Sequence, residues 1–244
     1  MTTVRFGTDG IRGIAGETLT AELAAALGVA LMQQHPTGLV LIGRDTRPSG
    51  PALASALAGA IEAHGGTVID VGVIPTPGLA SLVAGEPRAA CGVVVTASHN
   101  PVEYNGLKVL ARDGRKIPDA EERALEAAME IALAQPMRVA APSVAHEAEA
   151  QEYRRRYERI LGALAQTVDA AGLRVVGMQR MARPRHSPLQ RSPPLAPQSY
   201  RLRWGAALSM MALAPPTPPR SASRCVRTVP ISGLHSMATQ IAVS

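Results

Sequence analysis

T-A-S-H-N-P, Thr96 to Pro101, stands directly after the apolar run Gly92 to Val95, and Y-N-G-L-K, Tyr104 to Lys108, follows it. A turn of small residues at a strand's C-terminal end exposes Ser98 Oγ and nearby backbone N–H groups where open α/β sheets bind ligands. The same residues also read as an ordinary strand-to-loop turn, with Asn100 and Pro101 as its turn residues. A Ser-His-Asp hydrolase is disfavoured. His99 adjoins Ser98, which makes an in-line hydrogen bond awkward, and no G-x-S-x-G elbow occurs. Two further clusters combine glycine with arginine and small hydroxyl residues: F-G-T-D-G-I-R-G, Phe6 to Gly13, and G-R-D-T-R-P-S-G, Gly43 to Gly50. Such loops let backbone amides and a guanidinium approach phosphate oxygens closely. Taken singly, each cluster is equally compatible with turn glycines at Gly10 and Gly13 and a surface ion pair between Arg44 and Asp45.

Positioning these clusters requires alternating strands and helices. Leu39 to Ile42, Val68 to Ile74 and Gly92 to Val95 are short β-branched runs bounded by Gly and Pro, which predicts buried strands. Between the first two, Ser49 suits an N-cap, Pro51 a first turn, Ala52 to His64 a helix and Gly65 its C′ residue. Thr76 and Pro77 begin a second helix, closed by Gly85. Crossovers of this length favour parallel pairing. Leu23, Leu27 and Leu31 share one face of a helix over Leu19 to Gln34. Lys108 to Leu110 is a short strand candidate, and Asp119 to Ala134 an acid-rich amphipathic helix. Residues 136–146 form a linker. Gln151 to Ala165 is a helix carrying the basic patch Arg154 to Arg156, and Leu173 to Val176 starts a strand. The expectation is an α/β fold: a three-layer α/β/α domain with a mixed, largely parallel sheet over 1–146, the start of a second α/β domain over 147–176, and an unstructured tail over 177–244.

With 46% hydrophobic residues in 244, a sizeable core is available, but aromatics make up only 2%, so it must be built from Ala, Val, Leu and Ile. Base-stacking platforms of the RNA-recognition or single-strand kind are excluded on that ground. Cys91 and Cys225 cannot make a disulfide framework or a Cys-rich zinc site. No signal-like segment or long apolar run is present, so no membrane is expected and the compartment reads as cytoplasmic. The net charge of +6 is uneven: residues 177–244 hold nine arginines and no acid.

The three clusters in this order, F-G-T-D-G-I-R-G, then G-R-D-T-R-x-S-G, then T-A-S-H-N-P with N-G-x-K beyond it, resemble the N-terminal domain of the α-D-phosphohexomutases. The opening cluster is similar in detail to the phosphoglucosamine mutase branch. The resemblance covers residues 4 to 176, with specific motifs from Phe6 to Lys108. It implies that Ser98 is a phosphoserine, exchanging its phosphoryl group with a phosphorylated hexosamine through a bisphosphate to interconvert the 6- and 1-phosphates. It implies Mg²⁺ bridging Ser98, through its phosphate, to three aspartates of a D-G-D-x-D-R loop, and a glucose or glucosamine 1,6-bisphosphate activator or intermediate. Arg12 would stabilise charge, Lys108 would serve as a general acid/base or electrostatic group, and His99 would relay a proton or simply hold position. Thr8, Asp9, Gly10, Arg44 and Asn100 would contact substrate or phosphate.

The sequence also departs from the family. D-G-D-x-D-R, a G-E-x-S-G sugar motif and an R-x-S-G-T phosphate loop do not occur in it. Half of the 20 prolines fall in the tail, and the chain holds 23 Arg to two Lys, a bias of GC-rich coding DNA. Regrouping permitted codons by one base lets Leu234 to Val243 read L-A-F-D-G-D-A-D-R-C, with the glycine forced by Met237 before Ala238. The same shift turns Pro188 to Gly205 into an amphipathic helix and a strand. A frameshift near Val176 and Gly177, leaving an incomplete and inactive chain, is therefore expected. The alternatives are a phosphoglucomutase or phosphomannomutase fragment, or a non-catalytic module with an Arg-rich nucleic-acid arm; no specific nucleic acid is expected on the main reading.

Overall fold

The computed structural model describes residues 4–135, 142, 146–167, 175–178, 198–200 and 240–243. In chain order these form β1 (Ile11–Ile14), α1 (Ala21–Gln34), β2 (Leu39–Arg44), α2 (Gly50–Ala63), β3 (Thr67–Val73), α3 (Thr76–Ala84), β4 (Ala89–Val95), β5 (Tyr104–Ala111), α4 (Asp119–Leu133), α5 (Glu147–Gln166), β6 (Val175–Met178), β7 (Gln198–Tyr200) and β8 (Gln240–Val243). The chain divides into two compact units, the first reaching Arg154 and the second starting at Arg155.

The first unit is built on a mixed sheet in the order β1-β5-β4-β2-β3. β2 pairs in parallel with β3 and β4, whereas β5 runs antiparallel to both β4 and β1. Only β5 thus opposes the common strand direction. Period-two alternation sorts the side chains between two faces. Val40, Ile42, Cys91, Val93, Val95, Leu107 and Val109 join one buried cluster with α1, α2 and α4. On the other face, a Cβ at Gly43 would meet Leu79 and one at Gly92 would meet Val83, so these two glycines let α3 lie close to the sheet. Helices on both faces make the expected three layers.

Small side chains replace aromatics at the helix contacts. α1 presents Leu23, Leu27 and Leu31 inward, all buried, and Gly28 approaches α2 so closely that a Cβ would sit 2.8 Å from the Leu57 carbonyl oxygen. α2 begins after Ser49 as expected, but the Ser49 hydroxyl does not cap it. It instead accepts from Asn105 Nδ2 at 2.9 Å. Gly65 ends the helix at φ 86°, the left-handed geometry expected of a C′ glycine.

Several expectations are corrected. Ile11–Ile14, read as part of a glycine loop, is an edge strand held by the β5 ladder. The short strand at Lys108 to Leu110 extends over Tyr104–Ala111 because both flanking strands pair with it. α5 starts at Glu147 rather than Gln151; Glu147 and Glu149 in its first turn favour its positive N-terminal end. The expected linker 136–146 lies outside the described residues apart from Pro142 and His146. Most of the tail lies outside them too. Within it, β7 and β8 both pair antiparallel with β6. The backbone groups of these short segments are satisfied by a ladder.

Candidate functional site

The site lies where β2 and β4 end, beside the turn that leads into β1. β4 runs out at Val95, and the next turn carries Thr96 to Pro101. Ser98 adopts φ 57°, the one positive φ outside glycine among the described residues. For a side chain with a Cβ this costs about 1–2 kcal/mol, so the surroundings must enforce it. They do so at both of its backbone polar groups. The Ser98 N–H donates to Thr96 Oγ1 at 2.9 Å, and its carbonyl oxygen accepts from Arg47 Nη2 at 2.9 Å.

Arg47 is 3% exposed, yet every nitrogen of its guanidinium has an acceptor. Nε donates to Asp45 Oδ2 at 3.0 Å, Nη1 to the carbonyls of Pro101 and Tyr104 at 2.5 and 2.8 Å, and Nη2 to those of Ser98 and Asn100 at 2.9 and 2.8 Å. Asp45 also accepts from its partner's backbone, Arg47 N–H, at 3.0 Å and from Thr96 Oγ1 at 2.6 Å. A buried charge is tolerable only with such pairing and hydrogen bonding.

A second charged group stands beside the turn. Gly7 N–H donates to the Gly10 carbonyl at 2.9 Å, closing a turn that carries Thr8, which is exposed, and Asp9. Gly10 takes φ 91°, and a Cβ there would collide with the Leu107 carbonyl, so glycine is required on two counts. Asp9 receives Lys108 Nζ at 3.1 Å on one oxygen and Arg12 Nη2 at 3.1 Å on the other. The Lys108 hydrogen bond, helped by charge attraction to Lys108 and Arg12, holds the Asp9 carboxyl below its usual range. The trio carries one net positive charge. Gly106 separates it from the turn: a Cβ there would lie 2.6 Å from the Thr96 carbonyl oxygen and 3.0 Å from Arg12 Cγ.

The structure therefore gathers Arg12, Asp9, Gly10 and Lys108 into one cluster and Ser98, His99 and Asn100 into the adjoining turn. His99 Nδ1 lies 3.2 Å from Ser98 Oγ. The adjacency read as making this hydrogen bond awkward does not keep the two groups apart, and Ser98 has the left-handed backbone. Asn100 enters through its backbone, N–H to the Ala97 carbonyl at 3.1 Å and carbonyl to Arg47. Arg44 is not brought in: its Nη1 reaches both Asp70 oxygens, at 2.7 and 2.6 Å. The ion pair read between Arg44 and Asp45 is thus replaced by two others, Arg44 with Asp70 and Arg47 with Asp45.

Arg47, Asp45, Thr96 and Asn105 were missed as contributors. Asn105 is fully buried, and its Oδ1 accepts from Gly106 N–H at 2.8 Å. The available signal was two charged residues directly after a buried strand, a position from which side chains reach neighbouring loops. No group of three or more His, Cys, Asp and Glu side chains is placed to hold a metal among the described residues. Ser98 by itself offers a single oxygen, so these residues do not make a Mg²⁺ site on their own. Among the described residues, no helix is long and apolar enough to cross a membrane.

Domain I of phosphoglucomutase/phosphomannomutase, an α/β/α domain, matches residues 3–135. A phosphoglucosamine mutase of Thermotoga neapolitana is 51% identical over 125 residues, which cover 51% of this chain and 28% of the relative. One from Deinococcus deserti is 48% identical over 130 residues, 51% of this chain and 29% of the relative. Among solved structures, a provisionally assigned phosphomannomutase from Thermus thermophilus is similar at 33% identity and a TM-score of 0.50, covering 58% of this chain and 32% of that one. The chain thus spans under a third of the length of these relatives.

Proposed function

The chain belongs to the phosphoglucomutase/phosphomannomutase family, and from that premise we propose that residues 1–146 are the phosphoserine domain of a phosphoglucosamine mutase, with residues 147–176 beginning a second domain. The observation that carries this reading is the Ser98 turn: a strained serine at the end of β4, with His99 Nδ1 at 3.2 Å and a net positive cluster beside it. Its similarity to relatives named phosphoglucosamine mutase supports the amino-sugar phosphate as substrate.

The chemistry is a phosphoryl exchange between two oxygens. A sugar hydroxyl attacks the phosphorus carried on Ser98; its bond to phosphorus forms as the bond to Ser98 Oγ breaks, that oxygen keeps the electron pair, and the proton of the attacking hydroxyl passes to solvent water. His99, with Nδ1 3.2 Å from Oγ, would supply the proton that Oγ then needs and remove it again when the bisphosphate returns its other phosphoryl group. Arg12 and Lys108, sharing one carboxylate, offset the negative charge of the transferring group; positioning and charge supply most of the catalysis in this class of reaction. Thr8, Gly10 and Asn100 would line the approach of the phosphosugar. The phosphoryl donor that primes Ser98 is a hexose 1,6-bisphosphate.

The metal, sugar and distal phosphate motifs do not occur in these 244 residues, and we propose that they do not turn over phosphosugar alone. Mg²⁺-dependent turnover by this chain would overturn that statement. Restoring the reading frame after Val176 and adding glucose 1,6-bisphosphate should add about 80 Da, the mass of one phosphoryl group, at Ser98. Labelling that persists after Ser98→Ala would remove Ser98 from the reaction.

A further inference from the structure

We propose that Arg47 and Asp45 form a clamp that sets the backbone of Ser98, making Arg47 a positioning residue for phosphoryl transfer, an inference that rests on the mutase reading of this site. Two paths leave Ser98 and both end on the Asp45 carboxylate. From the Ser98 N–H the path runs through Thr96 Oγ1 to Asp45 Oδ2, at 2.9 and 2.6 Å. From the Ser98 carbonyl it runs through the Arg47 guanidinium to the same oxygen, at 2.9 and 3.0 Å. The strained peptide is therefore gripped at its donor and its acceptor by one closed ring of hydrogen bonds.

The guanidinium also fixes which way the turn faces. It draws four carbonyls, of Ser98, Asn100, Pro101 and Tyr104, inward onto a single buried plane. Carbonyl oxygens turned inward are removed from the outer surface, where they would repel a phosphate dianion. Only a planar fork with five donors satisfies this set. The three donors of a lysine ammonium cannot reach four carbonyls and a carboxylate together. The Arg47 guanidinium bonds to Asp45 and to backbone carbonyls and not to Ser98 Oγ, so it acts through the backbone.

The test uses the whole chain and no phosphosugar, so its outcome is separable from that of the mutase reading. In the wild-type protein, nuclear magnetic resonance should show the Arg47 Nη–H protons as separate, slowly exchanging signals, with couplings across hydrogen bonds to the four carbonyls. A single averaged, fast-exchanging signal overturns the clamp. In Arg47→Met, amide exchange at Ser98, Asn100 and Tyr104 should accelerate at least tenfold more than at Ile42 and Val93 in the central strands. The Ser98 N–H to Hα coupling should also leave its left-handed value. Added guanidinium ion at millimolar concentration should reverse both changes, and Arg47→Lys should not. Loop and core amides losing protection in the same ratio would mark Arg47 as a general stabilising residue and overturn the proposal. If Arg47→Met is insoluble, the wild-type signals decide alone.

Discussion

β4 carries a nucleophilic side chain near its first residue and another just beyond its last, and their surroundings treat them in opposite ways. Cys91 is 2% exposed and borders a cavity of about 220 Å³ with Leu31, Val109, Ile117 and Leu125. Burial pushes its thiol up to about 12. Ser98 is half-buried, held in a strained backbone, with a ring nitrogen and a positively charged cluster nearby. Charge is distributed differently too. At the entry to β4, Glu86 accepts from Arg88 Nε at 2.9 Å and from Tyr153 Oη at 2.8 Å, fastening the first turns of α5. At the exit, Asp45 and Arg47 are spent on the shape of one turn. The strand therefore separates an end where polar groups fasten a helix from an end where they hold the backbone of Ser98.

The largest expected effect compares the two positions directly. A thiol introduced by Ser98→Cys should react with iodoacetamide at pH 8.5 roughly a thousandfold faster than Cys91, because an ordinary thiol titrates near 8.5 and a thiolate is the nucleophile. Peptide mapping separates both from Cys225. Comparable rates in the native chain would break the contrast.

Stability should respond with opposite signs. Cys91→Ser places a hydroxyl in an apolar wall and should cost about 1–3 kcal/mol. Ser98→Gly relieves the left-handed strain, offset by the greater freedom of glycine in the unfolded chain, and should raise stability by about 0.5 kcal/mol. Urea midpoints of the two variants measure both. A loss at Ser98→Gly as large as that at Cys91→Ser would mean that φ at Ser98 is not strained.

The smallest effect belongs to the entry end and appears with pH. The Arg88 hydrogen bond, assisted by Tyr153, lowers the Glu86 carboxyl from 4.5 to about 2. A carboxyl depressed in the folded state contributes stability above its unfolded value and loses it as pH falls through the folded one. The Glu86 contribution should therefore be full above pH 4.5 and vanish towards pH 2. Glu86→Gln should flatten the melting temperature over that window while leaving the neutral-pH Ser98 turn unchanged. A window unaltered by the substitution would transfer the acid sensitivity to other carboxylates.

The elements that positioned the site were legible where local pattern and packing agree. Leu23, Leu27 and Leu31 mark α1, and Val93 to Val95 mark a strand buried on both faces. Ile11–Ile14 was hidden because Gly10 and Gly13 suggest turns, and its strand state comes from pairing with β5 far along the chain. Thr96 to Pro101, Asp9, Arg12 and Lys108 stood out by residue type. Their mutual contacts did not. Lys108 meets Asp9 across 99 positions of sequence, through the ladder of β1 on β5.

Arg44 and Arg47 show most clearly where the boundary falls. Both lie in G-R-D-T-R, and spacing alone treats them alike. The sequence by itself determined that two arginines and an aspartate stand at the end of one buried strand and that Ser98 stands in the turn after another. Only the tertiary structure decided which arginine serves which partner. β3, parallel to β2, offers Asp70 to Arg44, while the turn after β4 offers four carbonyls to Arg47. A guanidinium pairs with the acceptors that packing brings within about 3 Å, and those acceptors come from segments that local sequence does not connect.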